Sequence, residues 1–297
     1  MLKDYLTLHF LVFLWGFTAI LGLLISLPAV ELVIYRTLLA TVGVGALLAW
    51  HKVDWRLSGR ATLGLLANGG LIALHWILFF ASARVANASV CLAGMATTSL
   101  WASLIGPLLT QKSVKWYEVL IGAVVMAGLY LIFHFQFNQV VGLLMAVGSA
   151  FLGALFTVLN SQWTQKYHHY TITMYEMAGA CLTALLFLPI YQATLAEGGQ
   201  LHLVPIGTDW PYLGILALVC TVYAFSVSVE LMKRISAYTV NLTVNLEPVY
   251  GMVLAALFFN EHQYLHPGFY GGAVVILIAV LAYPLIKKWD DKRALSN

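Results

Sequence analysis

The sequence predicts an all-α polytopic membrane protein, with ten transmembrane helices arranged as two inverted five-helix repeats, 1–137 and 138–297, in one membrane domain. Three observations predict it. Hydrophobic residues make up 61% of the chain and charged residues only 9%, against roughly 25% charged in a soluble domain. The apolar residues fall into ten long stretches. Threading those stretches back and forth puts thirteen of the fifteen Lys and Arg residues on one side.

A hydrocarbon layer of about 30 Å needs about 20 helical residues at ~1.5 Å each. Suitable stretches lie at 5–25, 30–50, 61–83, 87–109, 116–134, 139–160, 171–191, 210–230, 238–259 and 267–287. With the N-terminus inside, Lys3, Lys52, Arg56, Arg60, Lys112, Lys115, Lys166, Lys233, Arg234, Lys287, Lys288, Lys292 and Arg293 all fall inside. Only Arg84 lies in an outer loop, and Arg36 lies within a span. Short loops let positive charge set orientation, so both termini are expected in the cytoplasm and the chain in a bacterial inner membrane. Lys3 precedes the first span as it would a signal peptide. No small-x-small cleavage pattern follows, however, and the length suits a spanning helix. The net charge of +3 sits in juxtamembrane loops and reports topology, so no nucleic-acid partner is expected. Cys91, Cys181 and Cys220 fall inside spans and read as small packing residues. The longest loop, 192–209, contains Gly198, Gly199 and Pro205 and is only a connector.

An internal repeat is the next signal. The string GAVV occurs at 122–125 and again at 272–275, an offset of 150. At that offset Arg84 meets Arg234, and the fourth span meets the ninth. YRTLLA from Tyr35 meets YEMAGA from Tyr175 at offset 140, and FTAIL from Phe17 meets LFTVL from Leu155 at 138. Loop insertions in one half produce such a drift. Five spans per half is odd, so the halves must be inverted, as in many secondary transporters.

WGFTAI at 15–20, Arg36 in YRTLLA, and LEPVYGMVLAALFFNE at 246–261, set in two five-span halves, resemble the EamA-type branch of the drug/metabolite transporter superfamily. The resemblance covers nearly the whole chain and is sharpest in the ninth span, with Pro248 near its middle and Asn260-Glu261 at its end. The first half departs from it: Thr97-Thr98 and Thr110-Gln111 stand at offset 150 from Glu247-Pro248 and Asn260-Glu261. The resemblance implies carriage of small metabolites such as amino acids, often outward, by alternating access and without ATP hydrolysis. No Walker-type glycine loop contradicts it. The runner-up is an integral-membrane enzyme acting on a lipid or isoprenoid substrate. No cofactor is expected, and the partners are a small-molecule solute and the bilayer; monomer and homodimer both stay open.

Polar side chains in lipid face the bundle interior or a water-filled cavity. The sixth span carries Ser149, Gly153, Phe156 and Asn160 on one face, and the first carries Leu11, Trp15, Thr18 and Gly22 at offset 138. Asn68, His75 and Ser82 are spaced by seven in the third span, and the eighth shows Tyr223, Ser226 and Glu230. Close helix packing explains such stripes as well as a cavity does. Glu230 is expected to pair with Lys233 or Arg234. Glu247 lies about 13 Å into the ninth span, where a carboxylate needs a partner, water or a proton. Asn241 and Asn245 lie about 200° around that helix from Thr243 and Glu247, so the two pairs are not expected to share a cavity.

Arg36 and Glu176 occupy equivalent places in the second and seventh spans. Anchoring is favoured over gating: Arg36 snorkels outward or pairs with Glu31, and Glu176 points inward towards Lys166. The candidate cavity set is Trp15, Thr18, His75, Trp76, Phe156, Asn160, Tyr223, Ser226, Asn241, Asn245 and Glu247, with Glu247, Arg36 and Glu176 as proton or gating candidates. Trp15, Trp76 and Trp101 lie deep, whereas Trp50, Trp55, Trp116, Trp163, Trp210 and Trp289 sit near span ends as an interfacial belt. His51, His168 and His169 lack the carboxylate or Cys company of a metal site, and no Gly-x-Ser-Gly string marks a hydrolase.

Overall fold

A computed structural model describes residues 2–111, 113–134, 139–247, 250, 251, 254, 258 and 267–295. Among these residues all regular structure is helical. In chain order the helices are α1 (Leu2–Leu24), α2 (Ala29–Trp50), α3 (Gly59–Val85), α4 (Ala88–Met95), α5 (Thr98–Thr110), α6 (Trp116–His134), α7 (Val140–Trp163) and α8 (His169–Thr194). Next come α9 (Asp209–Gly214), a π-helical segment Ile215–Tyr223, α10 (Ala224–Leu231), α11 (Ala237–Val244) and α12 (Pro267–Leu295). Several starts are set by capping side chains that accept an otherwise orphaned backbone N–H. Ser58 accepts from the Ala61 amide (3.3 Å), Asn87 from Val90 (2.8 Å) and Ser236 from Thr239 (3.2 Å).

Among the described residues, eight stretches are long and apolar enough to cross a membrane, counting α4 with α5 and α9 through α10 as one each. The chain is therefore a multi-pass membrane protein. Of the ten expected spans, the fifth appears as α6, whose apolar part, Trp116–Gly128, is shorter. The ninth, expected at 238–259, falls partly outside the described residues, as do Pro248, Asn260 and Glu261.

The two ends of the bundle are distinguishable by their contacts. At one end Asp4 pairs with Arg234 (2.9 Å), Asp54 accepts through its carbonyl from Thr171 (3.0 Å), and His51 stacks on Tyr170. This is the N-terminal end. At the far end the Asp209 carboxylate accepts from the Ser26 amide (2.8 Å), the Ser26 hydroxyl (2.6 Å) and the Ile206 amide (3.0 Å). Arg84 also lies there, and one guanidinium nitrogen donates to the carbonyls of Gly22, Ile25 and Leu27 at 2.8, 3.2 and 2.5 Å. The expected pairing of Glu230 with Arg234 is present at 3.8 Å.

Packing inside the bundle is organised by α3, which lies against α2, α7 and α8. Its contact with α7 is a polar seam. Ser82 donates to the Gly142 carbonyl (2.7 Å), His75 meets Ser149 (2.8 Å), and Asn68 reaches the Phe156 carbonyl (3.5 Å) and Asn160 (3.1 Å). Residues seven apart on α3 thus meet residues seven apart on an antiparallel partner, the spacing of a helix–helix seam. Against α8 the approach is closer still. A Cβ at Gly69 would collide with the Glu176 carbonyl, and one at Gly179 with the Leu66 carbonyl, so these helices touch backbone to backbone.

Two helices break at corresponding places. The 8-residue α4 ends in bonds from the Ala96 amide to Ala93 and from Thr97 to Gly94, both 3.2 Å, and Trp101 then bonds back to Thr97. The 8-residue α11 ends in bonds from Asn245 to Leu242 (3.1 Å) and from Leu246 to Thr243 (3.0 Å), and Tyr250 bonds back to Leu246. The same three bonds recur 149 residues on, one fewer than the offset of 150 read from the sequence.

Candidate functional site

The broken helices face a cavity in the middle of the bundle. It offers ≈ 80 Å³ to the centres of water-sized molecules and is walled by α1, α2, α3, α7, α10 and the two breaks. Met95 and Thr98 flank the first break, and Val244 and Glu247 flank the second. Thr98 and Glu247, 149 residues apart, therefore occupy like positions, whereas an offset of 150 had matched Thr97 to Glu247.

Two opposite charges border this space. Arg36 is 2% exposed, and its guanidinium carbon lies 3.7 Å from the centroid of the Trp76 ring, over its face. Its Nε donates to Thr221 Oγ1 (2.8 Å), whose own hydroxyl donates to the Leu216 carbonyl (2.9 Å). Thr221 belongs to the π-helical segment, and the Cys220 carbonyl beside it accepts from Trp15 Nε1 (3.1 Å). Insertion of a wide turn changes which backbone groups are free for such contacts. Glu247 is 5% exposed and faces the same cavity, yet no ion pair joins it to Arg36 among the described residues. Asn241, 2% exposed, also lines the cavity, and its Nδ2 has no partner. The remaining wall is largely aromatic: Trp15, Trp76, Phe79, Phe156 and Phe225, with Trp76 and Phe156 each about 6 Å from Phe225 in ring-to-ring contact (6.2 and 6.1 Å). Thr18 completes it on α1. His75 borders it too, but its ring is committed: Ser149 Oγ donates to the His75 carbonyl and Nδ1 donates to the Ser149 carbonyl, each at 2.8 Å.

Of the residues the sequence nominates, Trp15, Thr18, Arg36, His75, Trp76, Phe156, Asn241 and Glu247 come together here. Five do not line this cavity. Tyr223 is 46% exposed, on the outer surface of the bundle. Ser226 is buried with an unpartnered hydroxyl, while its neighbours Phe225 and Ser228 line the cavity instead. The nominated stripe of the eighth span is thus turned away by about two residues, roughly 200°. Asn245 donates to Ser99 Oγ (2.7 Å). Asn160 and Glu176 belong to a separate cluster with Asn68.

Three further expectations are corrected. Arg36 neither snorkels nor meets Glu31, whose Oε1 accepts from the His202 amide (3.3 Å). Glu176 meets Asn68 and Asn160 instead of Lys166. Asn241 and Glu247 do share the cavity, because α11 ends before Glu247 and the two tight bonds at 245 and 246 re-aim the chain. A continuous helix would have kept them apart.

A second, wider space of ≈ 660 Å³ opens at the N-terminal end, lined by Gly106, Lys115, Glu118, Ser161, Gln165, Tyr238 and others. Met232 is a wall of both spaces. No cluster of His, Cys, Asp and Glu suited to a metal occurs among the described residues.

Comparison with known proteins agrees with this architecture. Residues 140–283 match the EamA-like transporter family. An uncharacterized transporter of Archaeoglobus fulgidus is 26% identical over 285 residues, spanning 92% of this chain and 95% of its own. A solved crystal structure superposes with a TM-score of 0.72 over 96% of this chain and 97% of its own, at 15% identity, and bears on fold alone. The first two point to a transporter rather than an enzyme.

Proposed function

We propose that the chain is a member of the EamA-like transporter family that residues 140–283 match, and that it carries a small zwitterion, an amino acid or a close relative, outward by alternating access. The observation that carries this reading is the pairing of Arg36 and Glu247 across one aromatic-walled cavity without a salt bridge between them. A solute carboxylate suits the planar guanidinium of Arg36 and the free Nδ2 of Asn241. A solute ammonium suits Glu247, and the aromatic wall takes an apolar side chain. The buried Asn241 Nδ2, left without a partner beside two side chains of opposite charge, favours a ligand that supplies both charges at once.

Outward carriage is supported by the asymmetry of the ends. Arg84 and Asp209 tie the far end shut, while the wide space at the N-terminal end reaches Met232 on the cavity wall. With both termini in the cytoplasm of a bacterial cell, solute enters from that side.

Counterflow of labelled amino acids in proteoliposomes tests the reading. Zwitterionic amino acids should exchange, and their N-acetyl and amide derivatives should compete poorly. Glu247→Gln should lose the zwitterion yet retain any weak uptake of the N-acetyl form. Exchange of purely cationic or purely anionic solutes, with no amino acid carried, would overturn the assignment.

A further inference from the structure

The cluster of Glu176, Asn68 and Asn160 lies outside the cavity and has no part in the solute reading. All three side chains are at most 2% exposed and come from three helices, α8, α3 and α7. Asn68 Nδ2 donates to Glu176 Oε1 (2.6 Å) and to Asn160 Oδ1 (3.1 Å), and Asn160 Nδ2 donates to Glu176 Oε2 (3.2 Å). A ring of three side chains results. The backbone contacts at Gly69 and Gly179 hold α3 and α8 together around it. It is a built site rather than a chance approach.

No cation balances the carboxylate. The charged or titratable groups on neighbouring elements include Glu31, Tyr35, Arg36 and His51 on or beside α2, Arg60, His75 and Arg84 on α3, and Glu230 in α10 with Lys233 after it. Cys181 and His169 share α8, and Lys166 follows α7. None pairs with Glu176 among the described residues. A carboxylate so placed in an apolar interior must be neutralised by a proton or a small cation. The ring itself discriminates between them. Asn68 turns an N–H into the middle of the cluster, where a metal cation would meet a donor instead of an oxygen.

The other half of the Asn68 amide is the second observation. Its Oδ1 is buried with no partner. An ionised carboxyl only accepts, whereas a protonated one has an O–H to donate. If the Asn68 amide turns over, Oδ1 faces Glu176 Oε1 across 2.6 Å, a separation that suits O–H···O better than N–H···O. The Asn160 amide turning with it brings its Nδ2 to the Asn68 oxygen across 3.1 Å and gives up its bond to Glu176 Oε2. The ring therefore has a distinct hydrogen-bond arrangement for each proton state.

We propose that Glu176, held between Asn68 and Asn160, is a proton-binding site separate from the solute cavity, and that α7 couples its occupancy to that cavity. Binding forms an O–H bond on Glu176 with a proton drawn from water at the N-terminal end and removes the carboxylate charge. Release restores the charge and returns the proton to water. Coupling follows from position: Asn160 stands one helical turn beyond Phe156, a cavity wall, and Asn68 Nδ2 lies 3.5 Å from the Phe156 carbonyl. The protonation itself does not depend on the transport reading, although the coupling does.

Infrared difference spectroscopy of the purified full-length protein in lipid, stepped between alkaline and mildly acidic potassium buffer, tests the site without any solute. A protonated-carboxyl band should appear in the wild type and in Glu247→Gln, and be missing from Glu176→Gln. Asn68→Ala should shift the band, and it carries the test if Glu176→Gln fails to fold. Identical spectra for wild type and Glu176→Gln would overturn the site, as would a band abolished by adding sodium at fixed pH. In amino-acid counterflow, Glu176→Gln should flatten the pH profile, and an unchanged profile would overturn the coupling. If no protein, wild type included, carries an amino acid, the solute reading fails while the infrared result still stands.

Discussion

Arg36 shows how far a single residue can be read from sequence. Its depth in the second span was legible, and so was the need for a partner, since charge in hydrocarbon is costly. The partner was not legible, because Trp76 lies forty residues away on another helix and the contact is with a ring face rather than a carboxylate. A desolvated cation–π contact is worth about 2 kcal/mol, and lysine lacks the flat face that stacks and the fork that grips a carboxylate. Arg36→Lys is therefore expected to weaken solute binding about tenfold, measured by titration calorimetry on purified protein, and to lower thermal stability as well, since the Trp76 contact lies within the protein. Wild-type affinity would remove Arg36 from the site. His168 offers a residue-scale effect of pH. Its Nδ1 accepts from the Tyr170 amide (3.3 Å) at the start of α8, which only a neutral imidazole can do. Burial, and then Lys233, push this imidazole below the usual histidine range, with Glu230 acting the other way. A lowered histidine contributes stability that is complete above the unfolded-state value and is lost as pH falls through the folded one. Mild acid should thus cost up to about 1 kcal/mol at this cap, seen as faster amide exchange in the first turn of α8. His168→Asn, which caps without titrating, should abolish that acid sensitivity.

At the scale of the helices, the sequence conveyed which segments were helical but only sometimes which way they faced. The heptad of Asn68, His75 and Ser82 was visible, and its meaning was ambiguous between a cavity stripe and a packing stripe. It is chiefly the seam with α7, and periodicity cannot separate the two, since both place polar atoms inward. The break at Ala96 and Thr97 was hidden by the absence of proline there. The repeat could have exposed it, because Thr98 lies 149 residues before Glu247 and both stand just after a break. The eighth span misled for a structural reason: α10, which follows the π-helical segment, turns Phe225, Ser228 and Met232 to the cavity and Tyr223 outward. The tightest helix pair makes the clearest prediction. Gly69→Ala pushes a methyl group into the Glu176 backbone, where there is no flexible side chain to yield, so α3 and α8 must separate. Overpacking of this kind costs about 1–3 kcal/mol. The variant should melt several degrees lower in detergent, and Gly70→Ala, which meets only the Thr183 side chain at 3.1 Å, should lose clearly less. Equal melting temperatures for the two variants would contradict the backbone contact.

For the whole molecule, composition and charge bias were enough for the class, because continuous apolar stretches of about twenty residues span lipid as helices, which satisfy their own backbone. Alternation of the ends was equally legible: Asp4, Asp54 and Arg234 gather at one end, and Ser26, Arg84 and Asp209 at the other. What pattern could not supply was which end is closed. That depends on contacts across long stretches of chain, such as one Arg84 nitrogen shared by three carbonyls at the end of α1. A cation bound there draws on the negative end of the α1 dipole as well as on individual carbonyls. Its counterpart by the repeat, Arg234, is half exposed at the N-terminal end, where it pairs with Asp4 and Glu230. The far end is thus tied and the near end comparatively open, with Met232 standing between the wide space and the cavity. Met232→Cys should consequently react with a membrane-impermeant maleimide applied from the N-terminal side of sealed, orientation-sorted vesicles. The three native cysteines line neither space, and labelling of the parent protein without Met232→Cys sets the background. Reagent from the far side should label Met232→Cys more slowly, because that end opens only transiently in each cycle, and Arg84→Ala should speed the reaction, since it leaves three carbonyls without their cation and loosens the seal. A transported amino acid should protect the site by filling the cavity. Equally fast labelling of Met232→Cys from both sides with Arg84 in place would instead mean that the tie at the end of α1 does not close the path.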